Sequence, residues 1–299
     1  MQAETSQNLT ELIALTKARV NSNLDGIFSL SKPEKRLVEA MRYATMDGGK
    51  RIRPLLVYAS AKAVGARIED ADAAACAVEL IHSFSLVHDD LPVMDDDDLR
   101  RGKPATHIKF GESTAVLAGN SLLTLAFEIL SSPKLKLNEK IKINLIKKLS
   151  ECSGHLGIAG GQYLDLSYER KKISRNKILE MEIKKTGMLF SFCCAAPAII
   201  KKKTIQEIKF FENIGSKIGL LFQIADDLID LKSNSKEAGK KTGKDQKKGK
   251  ATLINLIGYD DSLKYCDKII KDINKNLKKY GSKSEKINET LGYIMNRKK

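Results

Sequence analysis

The dominant feature of the sequence is a helical spacing of apolar residues along almost the whole chain. No segment shows a sustained alternation of apolar and polar residues bounded by turn residues, so we predict no strands. The six prolines are sparse and are placed where helices would begin or stop, Pro197 among them. The pattern therefore predicts an all-α fold, arranged as a single large helical bundle.

Two segments, residues 73–88 and 114–130, are apolar on nearly every side, which predicts central helices of the bundle. Residues 139–150 and 262–279 carry lysines at helical spacing and are predicted to be peripheral helices. The stretch 232–250 is rich in lysine and is followed by more helix, so we interpret it as a mobile loop and not as a domain boundary. No internal repeat is present, and we predict one domain over residues 1–299.

The charge balance suggests an anionic partner. The chain has 52 Lys and Arg against 37 Asp and Glu, a formal net charge of +15. Residues 1–131 hold 15 basic and 18 acidic side chains, a net charge of −3, so the surplus lies wholly in the remaining part. A nucleic-acid-binding protein would concentrate its basic residues on a face interleaved with aromatic residues. Because aromatic residues are only 6% and Trp is absent, we keep that class only as a disfavoured alternative.

The sequence also predicts a location for the protein. It contains no run of 18 apolar residues, so no membrane span is expected. The first 30 residues include Glu4 and Glu11 and lack an apolar core, which is unlike a signal peptide. The five cysteines are an odd number without metal-type spacing, which favours reduced thiols. We therefore expect a cytoplasmic protein.

The first acidic cluster follows the apolar segment that ends at His88. Asp89 and Asp90 lie where charge is costly unless a cation or solvent meets it. Asp89 and Asp95 are six residues apart, about 240° on a regular helix, so they cannot share one helical face. Pro92 is expected to end the helix and let the chain turn, which brings Asp95 back towards Asp89.

A second acidic cluster follows another apolar segment, at Asp226, Asp227 and Asp230. Asp226 and Asp230 are four residues apart and share a helical face. Carboxylate oxygens suit Mg²⁺, which commonly takes one or two carboxylates together with the phosphate oxygens of a substrate. Either cluster alone could be a solvated helix end, but two such clusters after apolar helices favour a magnesium-dependent enzyme.

The motifs of the chain resemble those of the trans-isoprenyl diphosphate synthases, most closely the bacterial farnesyl diphosphate synthases. The resemblance runs from about residue 30 to the end of the chain. It rests on GGKRIRP at 48–54, DDLPVMD at 89–95 with DLRRGKPATH after it, GGQYLDL at 160–166, KTG at 185–187 and FQIADDLID at 222–230.

This resemblance implies an isoprenoid synthase bundle with its active-site cavity between central helices. It also implies a head-to-tail condensation of isopentenyl diphosphate with dimethylallyl or geranyl diphosphate. Three Mg²⁺ ions would hold the allylic diphosphate, and the matching positions for metal ligands are Asp89, Asp90, Asp95, Asp226, Asp227 and Asp230. Arg100 and Lys185 match positions that clamp the same diphosphate. Thr186, Gln223 and the Lys185 carbonyl match positions that stabilise the carbocation.

The resemblance implies that the second substrate, isopentenyl diphosphate, is bound by basic side chains and not through a metal ion. The matching positions are Lys50, Arg53, His82 and Arg101, with Gly48 and Gly49 allowing a close approach of the backbone. Lys240 and Lys250 match diphosphate-contacting positions in the loop that closes over substrate. Gln162 and Asp165 are assigned only to the cavity wall.

Product length is expected to depend on Phe84 and the adjacent Ser85. Phe84 precedes Asp89 by five residues, roughly 7.5 Å along a helix. An aromatic residue there resembles enzymes that stop at C15, farnesyl diphosphate; geranyl or geranylgeranyl diphosphate is the alternative product. Asn120 stands where the family usually has Asp.

Two further enzyme-like alternatives are disfavoured. A terpene cyclase would have a second cluster of a different, Asn/Ser/Glu type, and a silent synthase subunit would lack part of one cluster. The family is usually homodimeric, so we expect a homodimer.

Overall fold

The computed structural model of the protein describes residues 7–30, 34–46, 48–236 and 252–296. Within these residues the fold is all-α, as predicted, apart from one hairpin of two short strands. The elements before the hairpin are α1 (Gln7–Leu30), α2 (Lys35–Met46), α3 (Ile52–Val64) and α4 (Ile68–Asp89). The hairpin consists of β1 (Leu99–Arg100) and β2 (Lys103–Pro104), paired antiparallel.

The middle of the chain forms α5 (Thr106–Phe110), α6 (Glu112–Ser131), α7 (Glu139–Ser153), α8 (Ile158–Tyr168) and α9 (Arg175–Glu182). One wide π-helical turn (Ile183–Gly187) then leads into α10 (Met188–Ile200). The remaining elements are α11 (Ile205–Lys236), α12 (Leu253–Ile257), α13 (Tyr259–Leu277), a 3₁₀ turn (Lys278–Ser284) and α14 (Glu285–Asn296).

The centre of the bundle is α10, which packs against α3, α4, α7 and α11. Every residue from Leu189 to Ile200 is buried. Pro197 lies inside this helix, so the expectation that every proline marks a helix boundary is wrong at this position. The missing N–H removes one hydrogen bond near the end of α10, and the burial of the whole helix compensates for that loss.

Of the two segments predicted to be central, only one is. Residues 73–88 lie in α4, and ten of these sixteen residues are buried. Residues 114–130 lie in α6, where Val116 is 38% and Leu117 is 56% exposed. The prediction of a fully buried helix is therefore wrong for α6, which keeps an apolar face outside the core of this chain.

The two lysine-rich segments form α7 and α13, and both helices bury one side and expose the other. Helix α11 continues to Lys236, so residues 232–236 of the stretch interpreted as a loop are helical, and residues 237–251 lie outside the described part of the chain. All five cysteines are buried and free, as the reduced-thiol prediction requires.

Two described segments are long and apolar enough to cross a membrane by length and composition alone, Glu112–Ser131 and Arg175–Ile200. In the second segment 78% of the apolar window is buried inside the bundle, against 33% in the first. This is weak evidence for a membrane span, because the core helix of a globular bundle passes the same test.

Candidate active site

The first acidic cluster lies on a turn that folds back onto the end of α4. Asp89 is the last residue of α4, and the backbone N–H of Asp95 donates to its carbonyl at 2.8 Å. The N–H of Asp97 donates to the carbonyl of Asp90 at 3.1 Å. The turn expected at Pro92 is therefore present, and it brings Asp95 back beside Asp89.

Asp90 is buried and forms an ion pair with Arg100. The Nε atom of Arg100 donates to both carboxylate oxygens, at 2.9 and 3.2 Å, and its Nη2 also donates to Oδ1. In this conformation Asp90 orients an arginine that the sequence assigns to the diphosphate. The assignment of Asp90 as a metal ligand stays a prediction.

The β1–β2 hairpin presents Arg100 and Arg101 to different parts of the site. Its turn residues, Arg101 and Gly102, have φ of 54° and 77°, as a tight hairpin turn of type I′ requires. Arg101 donates from Nη1 to the carbonyl of Gly48 at 3.1 Å. Gly49 has φ of +99°, a backbone conformation that favours glycine, and a Cβ atom there would lie in tight contact, at 3.1 Å, with the Arg101 guanidinium.

Four side chains near this contact between hairpin and loop are called the basic group: Lys50, Arg53, His82 and Arg101. Arg53 stacks on Phe190 and Phe222, with its guanidinium carbon 4.9 and 5.7 Å from the ring centres. Burial lowers the pKa of His82 well below its ordinary value, and the charges of Arg53 and then of Arg101 act in the same direction. His82 is therefore neutral at physiological pH, and a ring nitrogen remains available to donate a hydrogen bond.

The π-helical turn carries Lys185 and Thr186 into the site. The Lys185 ammonium donates to Asp165 on α8 at 2.6 Å. The Thr186 hydroxyl donates to the Gln223 carbonyl oxygen at 3.0 Å, and the Gln223 amide donates to Asp227 at 3.0 Å. This chain of hydrogen bonds connects the turn with the second acidic cluster on α11.

Glycines on neighbouring helices allow those helices to pack closely against the π-helical turn. A Cβ atom on Gly161 of α8 would overlap the backbone of Lys185, and one on Gly219 of α11 would come within 2.6 Å of the Gly187 Cα. The turn is thus held between two helices that approach it at glycines. Single wide turns of this kind are frequent at functional sites.

Three carboxyl groups in this region have raised pKa values: Asp89, Asp90 and Glu182. Burial raises the pKa of Asp90, although its hydrogen bond with Arg100 opposes the shift. Burial raises the pKa of Asp89 to about 6; Lys185 opposes this shift and Asp95 adds to it. Burial raises the pKa of Glu182 to about 8, and the Asp227 charge adds to that effect. Glu182 is 3% exposed and accepts a hydrogen bond from the backbone N–H of Leu253.

The donor groups fit Mg²⁺. No three acidic, histidine or cysteine side chains come together as a metal centre among the residues that the structure describes. Asp89 and Asp95 nevertheless offer hard oxygen ligands from one turn, and the raised pKa of Asp89 reflects burial beside other carboxylates. A divalent cation would relieve that burden of buried negative charge.

The structure brings most of the predicted site residues together. The charge of Lys185 acts on Asp89, and the charge of Asp226 acts on Arg53, so the two acidic clusters and the basic group face a common region. Phe84 lies on α4 with its ring 4.9 Å from that of His88, and Ser85 donates to the His82 carbonyl at 2.9 Å. The side chain of Asp230 and all of Lys240 and Lys250 lie outside the described residues.

Sequence reasoning missed three features of the site. It assigned Asp165 only to the cavity wall, whereas this carboxylate binds Lys185. It gave no role to Glu182 or to Arg51, although both are buried ionisable side chains. Of these two buried residues, only Arg51 could have been selected from the sequence for a role of its own, because it lies inside the GGKRIRP motif.

Comparisons with known proteins match nearly the whole chain. The sequence profile of the family described as polyprenyl synthetase matches residues 34–294. The farnesyl diphosphate synthase of Escherichia coli (strain K12) is 39% identical over 268 residues, 88% of this chain and 90% of that protein. Geranylgeranyl pyrophosphate synthase 4 of Arabidopsis thaliana is 40% identical over 284 residues, 93% of this chain and 75% of that protein.

The fold is also similar to that of a solved structure. The crystal structure of an FPP/GFPP synthase from Zymomonas mobilis superposes with a TM-score of 0.84 at 37% identity, covering 96% of this chain and 99% of that one. The relatives are named for different products, although they share the fold and the family.

Proposed function

The chain belongs to the polyprenyl synthetase family and is a trans-prenyl diphosphate synthase, and from this premise we propose that its product is farnesyl diphosphate. It condenses isopentenyl diphosphate with dimethylallyl or geranyl diphosphate and releases diphosphate. The observation that supports the C15 product is Phe84, five residues before Asp89 on the same helix and about 7.5 Å along its axis. Its ring would block a longer tail. Geranylgeranyl diphosphate is the alternative, since one relative is named for that product.

In this proposal the two acidic clusters hold the allylic diphosphate through three Mg²⁺ ions. Enzymes of this family are generally magnesium-dependent. The ligands are drawn from Asp89, Asp90, Asp95, Asp226, Asp227 and Asp230. Bound metal would stabilise the negative charge that develops on the departing diphosphate. Lys185 and Arg100, oriented by Asp165 and Asp90, contribute fixed positive charge to the same group.

Thr186 and Gln223 stabilise the carbocation that forms when the allylic diphosphate ionises. Both present neutral oxygen dipoles, and the hydrogen bond from Thr186 to Gln223 holds their orientation. A neutral dipole stabilises positive charge without forming a covalent bond to it. The double bond of isopentenyl diphosphate then attacks the cation, and the proton that is lost goes to the departing diphosphate.

The basic group binds the diphosphate of the second substrate directly. Arg53 is half-buried, and its Nε has no hydrogen-bond partner among the described residues. An arginine fork can meet two phosphate oxygens at once. Neutral His82 donates a hydrogen bond, while Lys50 and Arg101 add charge. Lys240 and Lys250, outside the described residues, are proposed to contact diphosphate when the loop closes.

Mg²⁺-dependent incubation of isopentenyl diphosphate with C5, C10 and C15 starters tests the proposal. We expect C15 to accumulate from the first two starters and the third to be little used. Phe84→Ala should lengthen the products, because the tail then has room beside α4. A wild-type enzyme that extends the C15 starter efficiently, or an unchanged product profile for Phe84→Ala, would contradict the C15 assignment.

We also propose that the enzyme is a homodimer joined through the outer face of α6. This helix is strongly apolar but largely outside the core, with Leu117 and Val116 exposed. Asn120 is exposed on the same helix, so its departure from the family's usual Asp lies towards this face. Leu117→Glu should shift the mass measured by light scattering from dimer to monomer, with the exposed Ile108→Glu on neighbouring α5 as a comparison. A monomeric wild type would refute the proposal.

The remaining sequence-based expectations stay part of the same proposal. We propose that residues 1–299 form one domain, since one hydrophobic core cluster extends from α1 to α14 in the described residues. We propose a reducing, cytoplasmic location because all five cysteines are buried thiols. Limited proteolysis and cell fractionation test these two statements.

A further inference from the structure

Arg51 lies between two residues of the basic group but does not share their environment. Lys50 is exposed and Arg53 stacks on two aromatic rings, whereas the side chain of Arg51 is only 1% exposed. Arg51 also has φ of 50° and ψ of 37°, in the left-handed region, immediately before α3 begins. A non-glycine residue in that region is strained and needs contacts that hold it there.

The contacts of Arg51 supply that support. Its Nη1 donates to Glu79 on α4 at 2.5 Å. Its Nε and Nη2 donate to the Asn21 side-chain oxygen on α1, at 3.1 and 2.9 Å, and Nη2 also donates to the Thr45 carbonyl on α2 at 2.8 Å. One buried guanidinium therefore ties the start of α3 to three other helices.

The partner on α4 relates this ion pair to the basic group. Glu79 is 2% exposed and lies three residues before His82, so the two side chains share a face of α4. The Glu79 charge also acts on Arg53, whose pKa is lowered by burial and partly restored by nearby negative groups. The pair thus fixes the distance between the segment that carries Lys50 and Arg53 and the helix that carries His82.

We propose that Arg51 and Glu79 are positioning residues for the second diphosphate subsite. Their buried ion pair holds Lys50, Arg53 and His82 in the arrangement that receives isopentenyl diphosphate, without touching the substrate. This inference rests on the proposed function, which assigns those three residues to that substrate.

Steady-state kinetics with each substrate varied in turn test the inference. Glu79→Gln keeps the shape of the side chain but removes the charge that pairs with Arg51. We expect the KM for isopentenyl diphosphate to rise about tenfold or more, because Lys50, Arg53 and His82 would no longer be held in the arrangement that binds its diphosphate. The KM for geranyl diphosphate should change less than about twofold, because the proposed site for its diphosphate begins at Asp89, ten residues after Glu79 on α4.

A second ion pair in the chain provides a matched control. Asp72, also on α4, binds Arg19 of α1 at 2.6 and 2.7 Å and accepts a hydrogen bond from Tyr58 of α3 at 2.7 Å. It therefore joins three of the four helices that Arg51 connects, α1, α3 and α4, and lies seven residues before Glu79. Asp72→Asn should lower the melting temperature and leave both KM values unchanged.

Further variants keep the test decisive if one protein folds poorly. Asn21→Ala removes a single acceptor from Arg51 and should raise the KM for isopentenyl diphosphate in the same direction by a smaller factor. Equal KM changes in Glu79→Gln and Asp72→Asn would overturn the inference, because they would indicate general loosening. An unchanged KM for isopentenyl diphosphate in Glu79→Gln would also overturn it.

Lys50→Ala and His82→Ala separate this inference from the proposed function. If both raise the KM for isopentenyl diphosphate while Glu79→Gln does not, the subsite stands and the positioning role fails. If neither raises it, the assignment of the subsite itself is wrong.

Discussion

Replacing Asp89 with asparagine is expected to stabilise the metal-free protein while abolishing its magnesium-dependent turnover. In the absence of metal, the half-buried Asp89 carboxylate lies close to Asp95 and Asp90, and desolvation raises its pKa from 3.8 to about 6. Asparagine has nearly the same shape and carries no charge. The substitution therefore removes an unfavourable ionisation together with a proposed metal ligand.

The magnitude follows from the pKa. Each tenfold change in an acid constant corresponds to about 1.36 kcal/mol, so keeping Asp89 ionised in the folded protein costs about 3 kcal/mol relative to the unfolded chain. For a chain of this size, that free energy corresponds to a rise in melting temperature of roughly 5 °C.

The pH dependence of the stability difference between the wild type and Asp89→Asn follows from the same pKa shift. Between pH 3.8 and about 6 the folded protein binds the Asp89 proton more tightly than the unfolded chain, so the wild type loses stability as pH rises through this window. The advantage of Asp89→Asn should therefore be full above about pH 6 and should disappear near pH 4.

Thermal unfolding in EDTA from pH 4 to pH 8 measures the effect, and the same scan with Mg²⁺ and diphosphate measures ligand stabilisation. The wild type should gain stability from the ligands, and Asp89→Asn should gain much less. Asp96→Asn is the matched control, because Asp96 is an exposed aspartate of the same run, and it should change neither quantity. A melting temperature of Asp89→Asn equal to or below that of the wild type at pH 8 would refute the reasoning.

Two further predictions concern the neighbourhood of the π-helical turn. Gly161→Ala would drive a Cβ atom into the backbone of Lys185 and should lower kcat and stability, the latter by roughly 1–3 kcal/mol; Gly292→Ala, where a helical Cβ meets nothing within 4 Å, is the control for the substitution type. Glu182→Gln should stabilise the metal-free protein at pH 9 by up to about 5 kcal/mol, because burial beside Asp227 raises the pKa of Glu182 to about 8, and the gain should shrink as pH falls towards 4.5. Chemical denaturation at both pH values measures the second effect, and a gain that grows on acidification would contradict it.

The parts of the site that the sequence predicted are those built from local signals. The turn at Pro92 follows from the conflict between a six-residue spacing and helical geometry, and the structure has that turn. Asp226 and Asp227 lie on one continuous helix, where spacing alone fixes their relative positions. Such features depend on residues that are close in the chain.

The features that were missed depend on residues distant in the chain. Arg51 and Glu79 are 28 residues apart, and Lys185 and Asp165 are 20 apart. The π-helical turn has no marker in its own five residues, because it depends on the close approach of Gly161 and Gly219 from other helices. Side-chain pairing across helices is a property of packing that periodicity does not specify.

Helix α6 illustrates a different limit of sequence reasoning. An apolar helix face must be covered, but periodicity does not say whether the cover belongs to the same chain or to another one. Residues 114–130 were predicted to be central, yet Leu117 is 56% exposed in the single chain. The apolar signal of this segment therefore does not distinguish a core helix from the proposed interface helix.

The ion pairs of the charged groups support the proposal that only the allylic diphosphate is bound through metal. On the allylic side, Arg100 is bound to Asp90 and Lys185 to Asp165, so much of the positive charge there is already matched by carboxylates. In the proposed function, additional cations would therefore balance the charge of a further anion on this side. On the other side, the guanidinium of Arg53 stacks on aromatic rings, and its buried Nε has no hydrogen-bond partner among the described residues. That guanidinium gains from an anion directly, so the distribution of ion pairs, and not the net charge of the chain, separates the two subsites.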